Sequence, residues 1–178
     1  MRELEPIASL SQSRRLPFLL SGGHAVILHG YARTTFDLDL VIRRSDRQGW
    51  LGLLTELGYR PFHEGPTFYQ FTPSAGAVFP LDLMYVSDET FAGLTAEAMT
   101  RRIGNCEPRV VSLLHLLALK CHAVRHGHPG RVLKDADDLI QLIHINHIDV
   151  DAPPVRELVL KHGTAELFEK LRRATGEP

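Results

Sequence analysis

The sequence has few cysteines and lacks long apolar runs, and each absence excludes a class of protein. Cys106 and Cys121 are the only two cysteines among 178 residues, so a disulfide framework is not indicated. No run of roughly 18 apolar residues occurs, and the apolar segment 16–20 is too short for a membrane span or a secretory signal core. We therefore expect a cytoplasmic protein without a membrane partner.

The sequence also has little net charge. Its 20 lysines and arginines nearly balance its 21 aspartates and glutamates, and the formal charge of −1 argues against a general nucleic-acid coat protein. A local basic surface stays compatible with that total. With 44% hydrophobic residues, the chain is long enough to bury a sizeable core, either as one domain or as a core with a helical lobe.

Two carboxylates occur two residues apart in an otherwise apolar segment. Because alternate residues of a strand point to the same face, Asp37 and Asp39 share one face of a predicted strand over 37–43. Like charges beside Leu38 and Leu40 repel each other and lose hydration, which is unfavourable unless a cation lies between them. The pattern therefore indicates a divalent metal site.

A third carboxylate, Asp82, lies between leucines in a second predicted strand over 79–86. Neighbouring strands are about 4.8 Å apart, so if the two strands pair, Asp82 faces Asp37 and Asp39 at metal-bridging distance. Three oxygen ligands suit Mg²⁺ or Mn²⁺, which share their coordination shell with phosphate oxygens. The alternative is a turn cap at Asp37 and two half-exposed edge aspartates, although aspartate is depleted in strands.

Two adjacent glycines precede these carboxylates. Gly22 and Gly23 follow the apolar segment 16–20 and begin a predicted helix over 24–31. A glycine turn of this kind lets a phosphate approach the backbone N–H groups closely, and Ser21 adds a hydroxyl donor. The alternative is a plain tight turn without a ligand.

The first half of the sequence mixes strand and helix patterns, whereas the second half is helical. We expect an α+β protein in which residues 1–100 form a small mixed β-sheet with flanking helices and residues 101–178 form a helical lobe packed on it. Further strands are predicted at 59–62 and 68–71, and a helix capped by Ser45 or Asp46 ends at Gly58. Later helices are predicted after Ser112, over 131–144, after Pro153-Pro154 and after Thr164.

The order of these motifs resembles the nucleotidyltransferase superfamily with a polymerase-beta-like core. The resemblance covers residues 16–86 and depends on Gly22-Gly23, the run Arg33-x-Thr35-x-Asp37-Leu38-Asp39 and the later Asp82. It implies a nucleotidyltransferase fold in which the three aspartates hold Mg²⁺ or Mn²⁺. It also implies that a nucleoside triphosphate such as ATP is bound at Ser21, Gly22 and Gly23, and that a nucleoside monophosphate is transferred to a hydroxyl with release of pyrophosphate.

Residues 120–139 resemble the helical half of the abortive-infection type nucleotidyltransferase toxins. Lys120 matches the lysine position of that family, which implies a contact with the triphosphate, and Asp135 matches its Lys/Arg-Asp-x-x-Asp motif. Asp135 is thus implied to orient the acceptor or act as a catalytic base, while Asp138 is expected to bond to the backbone or to an arginine. Arg33 is expected to contact phosphate, to pair with Asp37 or to form a surface salt bridge.

The sequence says less about which molecule accepts the transferred nucleoside monophosphate. The toxin resemblance implies a cognate antitoxin, and the cations Lys120, Arg125, Arg131 and Lys134 predict a basic face suited to RNA. A protein acceptor, an antibiotic acceptor and a non-catalytic nucleotide-sensing or partner-binding module are the alternatives. A zinc site is disfavoured, because the spacing of Cys121, His122, His126 and His128 does not match closed zinc sites.

Overall fold

The computed structural model describes residues 3–73, 79–127 and 129–176. Contacts between Cα atoms group the chain into two compact units. The first contains the residues up to Ala25 together with Thr34–Ser112, and the second contains Val26–Arg33 together with the residues from Leu113 onward. Among the described residues, no helix is long and apolar enough to cross a membrane.

The first unit is built on a seven-stranded mixed sheet. Its elements are α1 (Leu4–Ser13), β1 (Leu19–Leu20), the start of α2 (Gly22–Leu28), β2 (Leu38–Arg43), α3 (Arg47–Glu56), β3 (Arg60–Glu64), β4 (Phe68–Thr72), β5 (Leu81–Val86), α4 (Asp88–Glu97), β6 (Met99–Thr100) and β7 (Arg109–Val110). The strand order is β3-β4-β5-β2-β1-β7-β6, in which the pairs β2–β5 and β1–β7 are parallel. The remaining pairs are antiparallel, so the predicted α+β class with a small mixed sheet is confirmed.

Strand β2 lies in the interior of this sheet. Leu38, Leu40, Val41 and Ile42 are all buried, which means that both faces of the strand are covered. A parallel pair needs a crossover connection. Here the residues between β2 and β5 supply it as α3 and the β3–β4 hairpin, with Trp50 of α3 fully buried. The sheet thereby places the start of β2 beside the start of β5.

The second unit is helical in its described part. It contains the end of α2 together with α5 (Leu113–His126), α6 (Pro129–Ile145), α7 (Pro153–His162) and α8 (Ala165–Thr175). The predicted cap of the last helix is confirmed, because the Thr164 hydroxyl accepts a hydrogen bond from the Leu167 N–H at 3.1 Å. Pro153 is in the first turn of α7, where the missing N–H of a proline costs nothing.

Several predicted boundaries were wrong. Helix α2 begins at Gly22, two residues earlier than predicted, and β2 begins at Leu38, so that Asp37 lies just outside the strand. Neither Ser45 nor Asp46 caps α3 through its side chain. Asp46 instead accepts a hydrogen bond from Arg43 Nε, and Ser45 donates one to Asp88, because both side chains have partners outside the helix. The elements α1, α4, β6 and β7 were not predicted at all.

The two units divide the chain differently from a cut at residue 100. Strand β7 pairs with β1 in parallel through Leu20 and Val110, which includes residues 101–112 in the sheet unit. The segment 26–33 groups with the helical unit, since Asn146 donates to the His29 carbonyl and the Tyr31 hydroxyl donates to Asp137. The predicted separation into a core and a lobe at residue 100 stays a prediction.

The turn between β1 and α2 depends on Gly22. Its φ angle of +55° lies in the left-handed region that side-chain-bearing residues avoid. A Cβ atom at this position would lie 1.8 Å from Oδ2 of Asp39. The Ser21 N–H donates to the Asp39 carbonyl at 3.0 Å, which extends the β1–β2 pairing to this point. The glycine thus lets the turn lie directly against the Asp39 carboxylate.

Replacing Gly22 with alanine is therefore expected to destabilise the protein. The left-handed backbone alone costs roughly 1–2 kcal/mol in the free energy of unfolding, and displacement of the Asp39 side chain adds to it. The matched control is Gly52→Ala, because Gly52 is in α3 and a Cβ there meets nothing within 4 Å. Alanine at a helix interior should stabilise by about 0.5–1 kcal/mol. Chemical denaturation measures both, and equal effects of the two substitutions would contradict the prediction.

Candidate active site

Three carboxylates converge in the sheet unit. Asp37, Asp39 and Asp82 each offer an oxygen within 4.8 Å of those of the other two, and all three side chains are half-buried. The convergence follows from the strand register, because Asp39 lies directly opposite Asp82 in the parallel β2–β5 pair. The predicted pairing of these two strands is confirmed, whereas the roles of the aspartates stay predictions.

Each carboxylate accepts a hydrogen bond from an uncharged donor. The Thr35 hydroxyl donates to Asp37 Oδ1 at 2.7 Å, and the Gly23 N–H donates to Asp39 Oδ2 at 3.3 Å. The third donor is Gln70, whose Nε2 lies 3.1 Å from Oδ1 of Asp82 and 3.4 Å from Oδ2. Neutral donors orient a carboxylate without cancelling its charge.

The donor set fits a hard divalent cation. Carboxylate oxygens are the ligands that Mg²⁺ and Mn²⁺ take in proteins. The three oxygens all lie within 4.8 Å of one another, which is close enough for them to share one ion. Three half-buried like charges repel each other, so an ion between them would relieve an unfavourable arrangement.

The glycine turn has a structural use beyond the predicted phosphate approach. Gly22 admits the Asp39 carboxylate and Gly23 bonds to it, so the turn positions a member of the carboxylate trio. Ser21, immediately before the turn, is buried. Contacts between a triphosphate and Ser21, Gly22 or Gly23 stay a prediction.

The helical unit contains a buried network of ion pairs. Lys120 Nζ lies 2.6 Å from Asp135 Oδ1 and 2.6 Å from Asp138 Oδ2. Arg33 donates to both oxygens of Asp138, from Nε at 2.6 Å and from Nη2 at 2.9 Å. The Asp138 side chain is 0% exposed and that of Arg33 is 11% exposed. Lys120 and Arg33 thus compensate the charges of the buried Asp135 and Asp138 carboxylates.

This network corrects two predictions and confirms one. Lys120 does not belong to an exposed basic face, because only 9% of its side chain is accessible, although Arg125, Arg131 and Lys134 are exposed. The pair that Arg33 forms with Asp138 is not an ordinary surface salt bridge. The expectation that Asp138 bonds to an arginine is confirmed. The predicted contacts of Lys120 and Arg33 with phosphate, and of Asp135 with the acceptor, stay predictions.

The cysteine and histidines of α5 give no support to a zinc site. Burial raises the pKa of Cys121 to about 12, so this residue remains a thiol at neutral pH. The His122 and His126 rings are 4.5 Å apart, and burial followed by repulsion from His126 lowers the pKa of His122. His128 lies outside the described residues. Across residues 3–73, 79–127 and 129–176, the aspartate trio is the only cluster with metal-ligand geometry.

Sequence reasoning missed Gln70 and gave Thr35 no role of its own. Gln70 is the polar residue between the buried Tyr69 and Phe71 in β4, and this alternation marks the face that it shares with Asp82. The signal identifies the face but not the partner, since the partner depends on the register of β4 against β5. Thr35 lies two residues before the aspartate that it contacts.

Comparison with known proteins places this geometry in context. No protein-family model and no curated protein matches the chain. Among solved structures, ANT(2″)-Ia in complex with adenylyl-2″-tobramycin aligns with a TM-score of 0.65 at 19% identity over 89% of this chain and 94% of its own. The lincosamide antibiotic adenylyltransferase LnuA, bound to lincomycin, aligns with a TM-score of 0.58 at 19% identity over 82% of this chain and 97% of its own.

A third similar structure is a nucleotidyltransferase-like protein. An antigenic nucleotidyltransferase-like protein from Paracoccidioides brasiliensis aligns with a TM-score of 0.56 at 18% identity, over 95% of this chain and 88% of its own. All three alignments span most of both chains, so the likeness extends beyond a shared sheet. The protein has the fold of the nucleotidyltransferase superfamily.

Proposed function

We propose that this protein is a metal-dependent nucleotidyltransferase that transfers a nucleoside monophosphate from a nucleoside triphosphate to a hydroxyl acceptor. The observation that carries the proposal is the convergence of Asp37, Asp39 and Asp82 from two paired strands beside the Gly22–Gly23 turn. The nucleotidyltransferase fold supports it. Carboxylates grouped in this way suit chemistry in which positioning and charge stabilisation of phosphates supply most of the catalysis.

The carboxylates would perform the reaction by holding and orienting. Asp37 and Asp39 would hold Mg²⁺ or Mn²⁺, and Asp82 would share a second ion with Asp39. When bound, such an ion would offset the charge of the phosphates and lower the pKa of an attacking hydroxyl. The acceptor oxygen then bonds to the α-phosphorus while the bond from that phosphorus to the bridging oxygen breaks. Pyrophosphate leaves, and the acceptor proton passes to a site carboxylate or to water.

The helical unit is proposed to contribute Lys120 and Asp135. Lys120 Nζ donates to Asp135 Oδ1 at 2.6 Å and lies 2.6 Å from Asp138 Oδ2. An ammonium group has three N–H donors, so Lys120 has the capacity to bond to a phosphate oxygen while it keeps these partners. Asp135 would orient the acceptor hydroxyl, and Arg33 would support Lys120 indirectly by sharing Asp138 with it.

The acceptor is proposed to be anionic, with an RNA end favoured. Arg125, Arg131 and Lys134 are exposed on α5 and α6, and exposed cations of this kind suit the phosphate backbone of an RNA. A role as the toxin of a toxin–antitoxin pair is proposed from the resemblance of residues 120–139 to the toxin family. The similarity to enzymes bound to an adenylylated aminoglycoside and to lincomycin supports a small-molecule hydroxyl as the competing acceptor class.

Asp39→Asn tests the proposed chemistry. This change should abolish metal-dependent triphosphate binding and all transfer, because the central carboxylate would serve both ions. The fold should survive, since repulsion within the trio falls and the amide oxygen can still accept from the Gly23 N–H. Calorimetry measures the binding, α-³²P-labelled nucleotides measure the transfer, and a melting curve checks the fold.

The matched control is Asp88→Asn, an exposed carboxylate that bonds to Ser45. It should leave both binding and transfer unchanged. Full activity in folded Asp39→Asn protein would overturn the site assignment. Metal-dependent nucleotide binding by the unaltered protein without transfer to any acceptor would favour a nucleotide-sensing module instead.

Lys120→Met tests the contribution of the helical unit. Removing a partner from a buried ion pair should lower the free energy of unfolding by about 3–5 kcal/mol, because Asp135 would be left buried with its charge uncompensated. Nucleotide binding should weaken by about 1.5–3 kcal/mol, the range for a charge-assisted hydrogen bond. The double change Lys120→Met with Asp135→Asn should recover part of the stability, since it removes both charges. Nucleotide binding that returned together with stability would reject a phosphate contact by Lys120.

The acceptor class is tested by labelling. The protein is incubated with each α-³²P-labelled nucleoside triphosphate and, separately, with total cellular RNA, total cellular protein, tobramycin and lincomycin. Label that nuclease removes is expected if an RNA end is the acceptor. Label that resists nuclease and disappears with protease, or that appears only on an antibiotic, would reject RNA while leaving the transfer chemistry intact.

A further inference from the structure

Gln70 lies against the carboxylate trio and is not itself a member of it. It is a half-buried residue of β4, which pairs with β5 on the side away from β2. The antiparallel register puts Gln70 directly opposite Asp82. Its Nε2 lies within hydrogen-bonding distance of both carboxylate oxygens, at 3.1 and 3.4 Å.

The contact belongs to a polar row that crosses the sheet. His63, Gln70, Asp82 and Asp39 occupy matching positions on the four adjacent strands β3, β4, β5 and β2. Directly opposed residues in a sheet have Cβ atoms about 4.5–5.5 Å apart, so a side-chain contact between Gln70 and Asp82 costs little chain entropy. The buried Tyr69 and Phe71 on either side of Gln70 hold it on this face.

We propose that Gln70 is a positioning residue for Asp82. A hydrogen bond to a carboxylate favours the rotamer in which that bond is made. The bond from Gln70 therefore favours the rotamer of Asp82 whose carboxylate lies with those of Asp37 and Asp39. This inference rests on the proposed function in one respect, which is that the trio binds a divalent cation.

The chemistry of the side chain supports this role. A lysine or arginine opposite Asp82 would form an ion pair and compete with the metal for the carboxylate. A glutamate would add a fourth like charge to the trio. The glutamine side chain reaches Asp82, and its amide donates a hydrogen bond without carrying a charge. A neutral donor of this kind aligns a metal ligand without neutralising it.

Mn²⁺ binding in the absence of nucleotide tests the inference, with free Mn²⁺ measured by electron paramagnetic resonance. Gln70→Met keeps the length of the side chain and removes the donor. We expect it to weaken Mn²⁺ affinity by at least about tenfold, the typical effect of losing a hydrogen bond to a metal ligand. Saturating Mn²⁺ should restore most of the turnover, because the ligand is misaligned rather than lost. The matched control is Gln48→Met at an exposed position of α3, which should leave Mn²⁺ affinity unchanged.

A second variant keeps the inference testable if Gln70→Met does not fold. Gln70→Leu also removes the donor, with a shorter side chain and no added charge, so it should likewise weaken Mn²⁺ binding by at least about tenfold. Mn²⁺ affinity equal to that of the unaltered protein in either folded variant would overturn the inference and leave Gln70 with a structural role only. Mn²⁺ binding that depends on Gln70 in a protein without transfer activity would support the inference and overturn the proposed function. If the unaltered protein binds no Mn²⁺ either alone or with a nucleoside triphosphate, both are overturned.

Discussion

The parallel pairing of β2 with β5 is the constraint on which the rest of the structure depends. It brings Asp39 directly opposite Asp82 and leaves three like charges within 4.8 Å of one another. Such an arrangement opposes folding, because the carboxylates repel each other and are partly removed from water. A fold that keeps it must hold the strands firmly, and the burial of both faces of β2 does so.

The carboxylates that repel one another also accept hydrogen bonds from neutral donors. A hydroxyl, a backbone N–H and a side-chain amide each bond to one carboxylate, and none of them carries a charge. The helical unit solves a related problem differently, since it pairs its buried carboxylates directly with Lys120 and Arg33. In the helical unit, ion pairs accompany two buried carboxylates, whereas in the sheet unit three half-buried carboxylates converge.

Much of the sheet and of the carboxylate trio was predictable from short patterns. Asp37 and Asp39 are two residues apart in an apolar segment, and Asp82 has leucines on both sides, so local sequence identified the strands and the face. The helix boundaries were less accurate. Asp46 lies at the N-cap position of α3, within the predicted pair Ser45 or Asp46, but its side chain accepts from Arg43 Nε and caps no helix N–H. The short strand β7 was missed because its two residues carry no periodic signal.

The sequence by itself determined the residue types of the candidate site, the adjacent glycines and the change from a mixed to a helical pattern. Only the tertiary structure decided which side chains surround those residues. Gln70 meets Asp82 through the register of two strands, and Arg33 reaches Asp138 across 105 positions of the chain. Local patterns follow from the periodicity of a single element and from the preferences of single residues. Long-range partners depend on which elements pack together, and that choice is made by burial of the whole core.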